Sequence, residues 1–344
     1  MTATRTTARN GYGLVGGLVL AAVAGALIGT SLTGETPVPG VAEPGVVVRF
    51  GLPLVRVLLD VSALGTVGLS LLPMLLGFDR PTQTEPVLRL ARRAAVITSA
   101  GWVVGALLSL VFQTADLHPD QGPTIGSIVD YVRTIGAGQA LVISAVVALI
   151  YLGFAVLAVR HGESVPAELR VVLSVFGLLP IPVTGHASNF GLAWGGHGLT
   201  MVSMELHVMA AAGWTGGLAA LGVLVASNRT LLATALPKFS KLATLCIAVV
   251  GVTGLVNAFL TLYETPGVDP VGGLFTTHYG WIVLGKLACF AVLAALGANI
   301  RFRLLPLIVQ HQRVSALVSW ISLEVAVMGL AYGLAVVLTR APVA

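Results

Sequence analysis

"AGQALVISAVVALIYLGFAVLAV", residues 137–159, carries no charged side chain along its whole length. A half-buried strand alternates apolar and polar residues with period two, and a surface helix keeps one polar face; this run does neither. Its length is what a helix needs to cross the hydrocarbon core of a bilayer, roughly 20 apolar residues. The rest of the chain repeats the pattern. Of its 344 residues, 56% are hydrophobic and 10% charged, and the mean hydropathy is +0.94. A soluble domain carries roughly 25% charged residues, so the solvent for this chain is lipid. Long unalternating runs select helices over a β-barrel, whose strands alternate.

Nine such runs lie near 11–31, 51–77, 94–113, 137–159, 168–184, 200–226, 242–262, 279–300 and 314–338. The expected fold class is all-α, a polytopic transmembrane helix bundle. The first run follows Arg5 and Arg9 as a signal peptide would. Its apolar core exceeds the roughly 7–15 residues of a signal, and no small-x-small cleavage site follows, so a retained helix is expected. Three regions result: residues 1–50 with the first helix and a loop, residues 51–235, and residues 236–340.

Basic residues set the expected orientation. With the N-terminus inside, inner segments hold fourteen Lys and Arg, the largest group being Arg80, Arg89, Arg92 and Arg93. Outer segments hold only Arg49, Arg133 and Arg340. This is the asymmetry of the positive-inside rule, with an inside N-terminus and an outside C-terminus. The net charge of +5 is then a topology signal, and no nucleic-acid partner is implied. The bilayer itself is the expected partner.

Against this background one stretch stands out: "TGHASNFGLAWGGHGLTMVSMELHVMAAAGWTGGL", residues 184–218, with three of the seven histidines and three of the six methionines. His186 and His197 fall in an outer loop, and His207 lies one to two turns into the sixth span. If the helix begins by His197, then His197, Met201, Met204 and His207 share one face over about 15 Å. Imidazole and thioether suit copper, thioether favouring Cu(I). On an oxidising face these ligands also avoid disulfide chemistry. The same spacing is equally the core face of an ordinary helix, and Gly196 and Gly198 can delay the helix to about Thr200.

Ionisable groups inside spans are costly unless paired or facing a cavity. Arg56 and Asp60 are four apart and can neutralise each other. Glu205, Lys286 and Glu324 are candidates for an intramembrane ion pathway, with a Lys286–Glu324 pair as the structural alternative. Asn257 is expected to make an interhelical hydrogen bond. Cys246 and Cys289 both fall within spans and read as small hydrophobes rather than a disulfide framework. The "GWTGG" stretch, Gly213 to Gly217, reads as close helix packing, and Trp194, Trp281 and Tyr279 as interfacial anchors. There is no phosphate loop, nucleotide fingerprint or nucleophile elbow. That argues against an enzyme and against primary active transport.

Several segments together resemble the copper resistance protein D family of bacterial inner-membrane proteins. "LPKFSKLATLCIAVVGVTGLVNAFLTL" is similar to its Arg/Lys-Phe-Ser start and Gly-Leu-x-Asn centre. "YGWIVLGKLACFAVLAALGANIRFRLLP" is similar to its lysine-bearing helix ending in Asn-x-Arg, and "SLEVAVMGLAYGLAVVLT" to its final helix. "TGHA", "LHVMAAAGWTGGL" and "GLPLVRVLLDVSALGTVGLSLL" resemble upstream segments. The resemblance covers about residues 50–340 and is strongest from 236, marking 236–340 as a copper resistance D-like domain. By motif position it implies His186, His207, Lys286 and Glu324 as functional residues. His197, Met201 and Met204 are added by their own chemistry.

The resemblance implies a multi-pass protein of the bacterial plasma membrane that handles copper, as Cu(I) or Cu(II). The leading expectation is a permease admitting copper through an outer His/Met site, supplied by an extracytoplasmic copper-binding protein. One alternative is a membrane copper chaperone or cytochrome oxidase assembly factor without transport. A second is a haem-b redox protein, against which His207 stands as the one histidine well inside a span.

Overall fold

The computed structural model describes residues 2–32, 43–184, 196–299, 302–303, 315–339 and 341; for residues 2–12, 196–197 and 315–319 it describes the backbone alone. His186 and Trp194 lie outside the described residues. Within them the chain is helical, without strands. The helices are α1 Thr2–Leu32, α2 Val46–Leu76, α3 Pro81–Leu117, α4 Ile125–Thr134, α5 Gly136–His161 and α6 Ala167–Phe176. They continue with α7 Gly196–Leu224, α8 Arg229–Glu264, the single turn α9 Gly273–Thr276, α10 His278–Asn299 and α11 Ser315–Leu338. Among the described residues nine segments are long and apolar enough to cross a membrane, and they coincide with the nine expected runs. In hydrocarbon a helix is the one open structure that satisfies every backbone group internally, which is why each apolar run becomes one.

Local chemistry places the breaks. Asn228 caps α8, accepting from Leu231 N at 3.2 Å, as short polar side chains do at helix N-termini. Gly77 ends α2 at φ 74°, a left-handed conformation that favours glycine. The short helix α4 starts at a capping box, Thr124 with Ser127. Prolines 53, 73, 86 and 237 sit inside helices, where neighbouring helices re-satisfy the backbone.

α2 is the centre of the bundle. It packs along α3 and α7; α5 covers α3, α8 covers α7, and α11 joins α1 to α10. The core holds Leu59, Leu72, Trp102, Tyr151 and Leu221, all fully buried. Small residues let backbones approach where dispersion must drive association. At the α2–α7 crossing a Cβ on Gly216 would collide with Leu64 O, so the "GWTGG" stretch is a close-packing element. α1 meets α11 through two Gly-x-x-x-Gly pairs, Gly25 and Gly29 against Gly329 and Gly333; a Cβ on Gly333 would run into Ala22 O.

Polar pairs stitch the same helices together. Ser70 meets Tyr151 at 2.7 Å, Trp102 Nε1 donates to Ser144 at 3.0 Å, and the Tyr131 hydroxyl donates to Gln113 at 2.6 Å. Interhelical bonds of this kind contribute about 0.6 kcal/mol each. Arg56 binds Asp60 at 3.1 Å, as their spacing predicts, and also donates to Thr184 across the bundle. At the basic end, Glu163 bridges buried Arg92 and Arg170 at 2.7 Å each and fixes α3 to the α5–α6 corner. Tyr279, expected as an interfacial anchor, is the second residue of α10 and turns its side chain into the bundle. It is 5% exposed, packed with Leu262 and Ile282, while Trp281 is 59% exposed with its indole on Phe275 O at 2.8 Å.

Candidate functional site

α7 begins at Gly196, so the backbone of His197 is already helical and the later start near Thr200 does not occur. Met201, Met204 and His207 therefore follow His197 along one continuous helix. Antiparallel α8 receives this face in a steady register: Met204 meets Asn257, His207 meets Thr253 and Gly254, and Gly213 meets Cys246. Each step along α7 is matched by a step back along α8.

The imidazole is held from α8, by Thr253 and by the Val250 backbone carbonyl. His207 Nδ1 lies 3.0 Å from Thr253 Oγ1. The Thr253 hydroxyl gives its own proton to Val249 O, 2.6 Å away. Oγ1 is thus an acceptor toward the ring, and Nδ1 carries the proton. In the neutral ring this leaves the Nε2 lone pair for a ligand, the tautomer logic of metal-bound histidines whose other nitrogen is fixed by a partner. Gly254 makes the space: a Cβ there would sit 3.3 Å from His207 Cε1, tighter than ordinary packing.

One turn away, Asn257 Nδ2 approaches Met204 Sδ at 3.7 Å. This is the interhelical hydrogen bond expected of Asn257. Its Oδ1 is buried without a hydrogen-bond partner. Buried acceptors are normally satisfied, and an orphan points to a water or an ion. Imidazole nitrogen, thioether sulfur and amide oxygen thus lie on neighbouring turns of two packed helices. Among the described residues no group of three or more His, Cys, Asp or Glu could hold a metal, so any metal here depends on the thioether and the amide.

The remaining candidates separate. Lys286 of α10 is close enough to His207 for its charge to act on the ring. Lys286 and Glu324 are not an ion pair: none of the ion pairs among the described residues includes either. The reason is depth. Lys286 is the ninth residue of α10, whereas Glu324 lies level with Gly297, eleven residues further along that helix, where it accepts a hydrogen bond from Trp214. Glu205 lies three turns above Gly216 on α7, on the side turned to α2 and away from His207. Met201 is half-buried. Cys246 and Cys289 are buried and free, as expected of small hydrophobes.

Thr253 and Gly254 escape a reading of α7 alone. Their signal is on α8: Thr253, Asn257 and Thr261 recur every four residues in an otherwise apolar span, a polar stripe needing a polar neighbour.

Comparison with known proteins bears on the same segments. A family model described as copper resistance protein D matches residues 233–338. A second, described as copper resistance protein D-like, N-terminal domain, matches residues 47–195. A curated relative, copper resistance protein D of Pseudomonas syringae pv. tomato, is 26% identical over 162 residues, which is 42% of this chain and 50% of the relative. The chain thus spans about half the length of that relative. No solved structure matches it. With both family models matching in order, and nine spans of apolar helix between and around them, this multi-pass, copper-related membrane protein belongs to the copper resistance protein D family.

Proposed function

We propose that this protein is a permease that admits copper from the outer face of the bacterial plasma membrane, with copper as cargo and no bond-making chemistry of its own. The observation that supports this reading is His207: a histidine about eleven residues into α7, with Nδ1 held 3.0 Å from Thr253 Oγ1 and Met204 one turn before it. His207 Nε2 and Met204 Sδ are the soft donors, and Asn257 Oδ1 is a third, weaker one. Thioether and imidazole favour Cu(I) over hard cations. His197 and Met201 continue the same helix outward, and His186 stands two residues beyond Thr184. These three form the approach by which an extracytoplasmic copper-binding protein hands over its ion. Lys286 borders the route as a charge, while Glu205 lies on the other side of α7.

Purified protein titrated with Cu(I) against a chromophoric chelator tests the site, and copper uptake into proteoliposomes tests transport. His207→Ala is expected to weaken Cu(I) binding at least tenfold. Met204→Leu is expected to weaken Cu(I) selectively, because leucine keeps the volume and removes the sulfur. His161→Ala, at the far end of α5, should change nothing. Wild-type affinity in both variants would make the stripe core packing. Binding without uptake would make the protein a copper chaperone.

A further inference from the structure

α8 packs along α7 and α10 along α11, but α8 and α10 scarcely touch each other. Bridging them is a cavity of about 350 Å³, lined in part by the rings of Trp214, Phe239 and Phe302 and by Glu324. That volume is the size of a small-molecule pocket. Thr244, Ala298 and Phe302 belong to its lining and are also exposed, so the cavity is open on that side. Its deep wall is closed: Trp214 and Phe239 are each 4% exposed, and Glu324 is 3% exposed.

Glu324 is the one ionisable side chain of the described lining. It accepts a hydrogen bond from the neutral Trp214 indole, and no ion pair among the described residues includes it. Among the described residues the basic neighbours of the lining in sequence are Lys238, Lys241 and Arg303, and all three are exposed. A carboxylate within a span is costly unless a cation or a cavity compensates it. A positive occupant therefore fits, and the rest of the lining says of what kind. The described lining holds no imidazole, thioether or thiol, so it suits no soft metal. One carboxylate and the hydroxyls of Ser240 and Thr244 fall short of the roughly six oxygens that a hard divalent cation takes. A zwitterionic lipid headgroup would bring a phosphate, for which the described lining has no positive partner. Aromatic faces, by contrast, attract ammonium ions.

We infer that the cavity binds a small organic cation with an apolar body, its ammonium group set against the Glu324 carboxylate and its body against Trp214, Phe239 and Phe302. His207 and Met204 are absent from the lining, so this site is separate from the copper site and does not depend on it. Pairing the two charges offsets the cost that each would carry alone in low dielectric, where their attraction is strongest. Binding is non-covalent: the Trp214 indole orients the carboxylate, and the apolar body fills the remaining space.

Equilibrium dialysis of the full-length chain in a neutral detergent, with labelled benzyltrimethylammonium as the probe, tests this site. The wild-type protein is expected to bind the probe saturably. Unlabelled benzyltrimethylammonium should displace it at least tenfold better than neopentylbenzene, which has the same shape without the charge. Glu324→Gln, which removes the charge and keeps the shape, should lose at least tenfold in affinity, while Glu324→Asp should recover part of it. Ala243→Trp, which fills the cavity from α8, should lose binding as well. The comparison of the two displacing compounds needs no variant, so it decides the matter even if a substitution prevents folding. Absence of saturable binding overturns the inference, as does equal displacement by neopentylbenzene, which would mean apolar partitioning alone. Wild-type affinity in Glu324→Gln overturns it too. So does displacement by phosphatidylcholine as effective as by the free cation, which would make the cavity a lipid site.

Discussion

Thr253 Oγ1 stands 3.0 Å from His207 Nδ1 while its own proton is committed to Val249 O at 2.6 Å, so one hydroxyl on α8 decides which nitrogen of a histidine on α7 is free. That relation makes Thr253 a positioning residue. Thr253→Val keeps the size of the side chain and removes the acceptor, letting the ring turn and change tautomer. Cu(I) affinity should fall by about 10- to 100-fold, the usual cost of losing the hydrogen-bond partner that orients a ligating histidine. Folded yield should stay near wild type, and Thr253→Ser should restore affinity. Unchanged Cu(I) binding in Thr253→Val would mean that His207 is not a ligand.

The α1–α11 interface makes a separate prediction about stability. Gly333 faces Ala22 O so closely that any Cβ collides with it, whereas Gly16 on α1 has open space around it. Gly333→Leu should therefore separate the two helices and lower the yield of monodisperse protein in detergent several-fold. Gly16→Leu should be tolerated. Equal yields would show that α1 is dispensable to the bundle.

Orientation is open to a thiol-labelling measurement, because both native cysteines are buried and give little background. Val271, 66% exposed before α9, and Asp79, exposed in the turn after α2, mark opposite ends of the bundle. With the basic residues inside, Val271→Cys should react with a membrane-impermeant reagent on intact cells, and Asp79→Cys only after permeabilisation. The reverse pattern would invert the molecule and place the His/Met face inside.

The chain by itself determined the solvent, the class and the number of spans. Each apolar run long enough to cross lipid has one way to satisfy its backbone, so composition and run length settle the helices without reference to neighbours. Short-range chemistry was legible for the same reason: Arg56 finds Asp60 one turn on, and Met201, Met204 and His207 fall on one helix face whatever surrounds them. What faces what was decided only in three dimensions. Nothing in the α7 sequence says that His207 meets Thr253 of α8, or that Gly254 makes room for its ring. Lys286 and Glu324 looked like a pair because lipid penalises lone charges, but they lie at different depths on α10 and α11, and Glu324 turns to Trp214 and a cavity instead. Tyr279 and Trp281 lie two residues apart at the start of α10, and only the helices packed around them decide that the first is buried and the second exposed. A helix carries its own hydrogen bonds, so sequence specifies it locally; a site between helices is specified by their register, which only packing fixes.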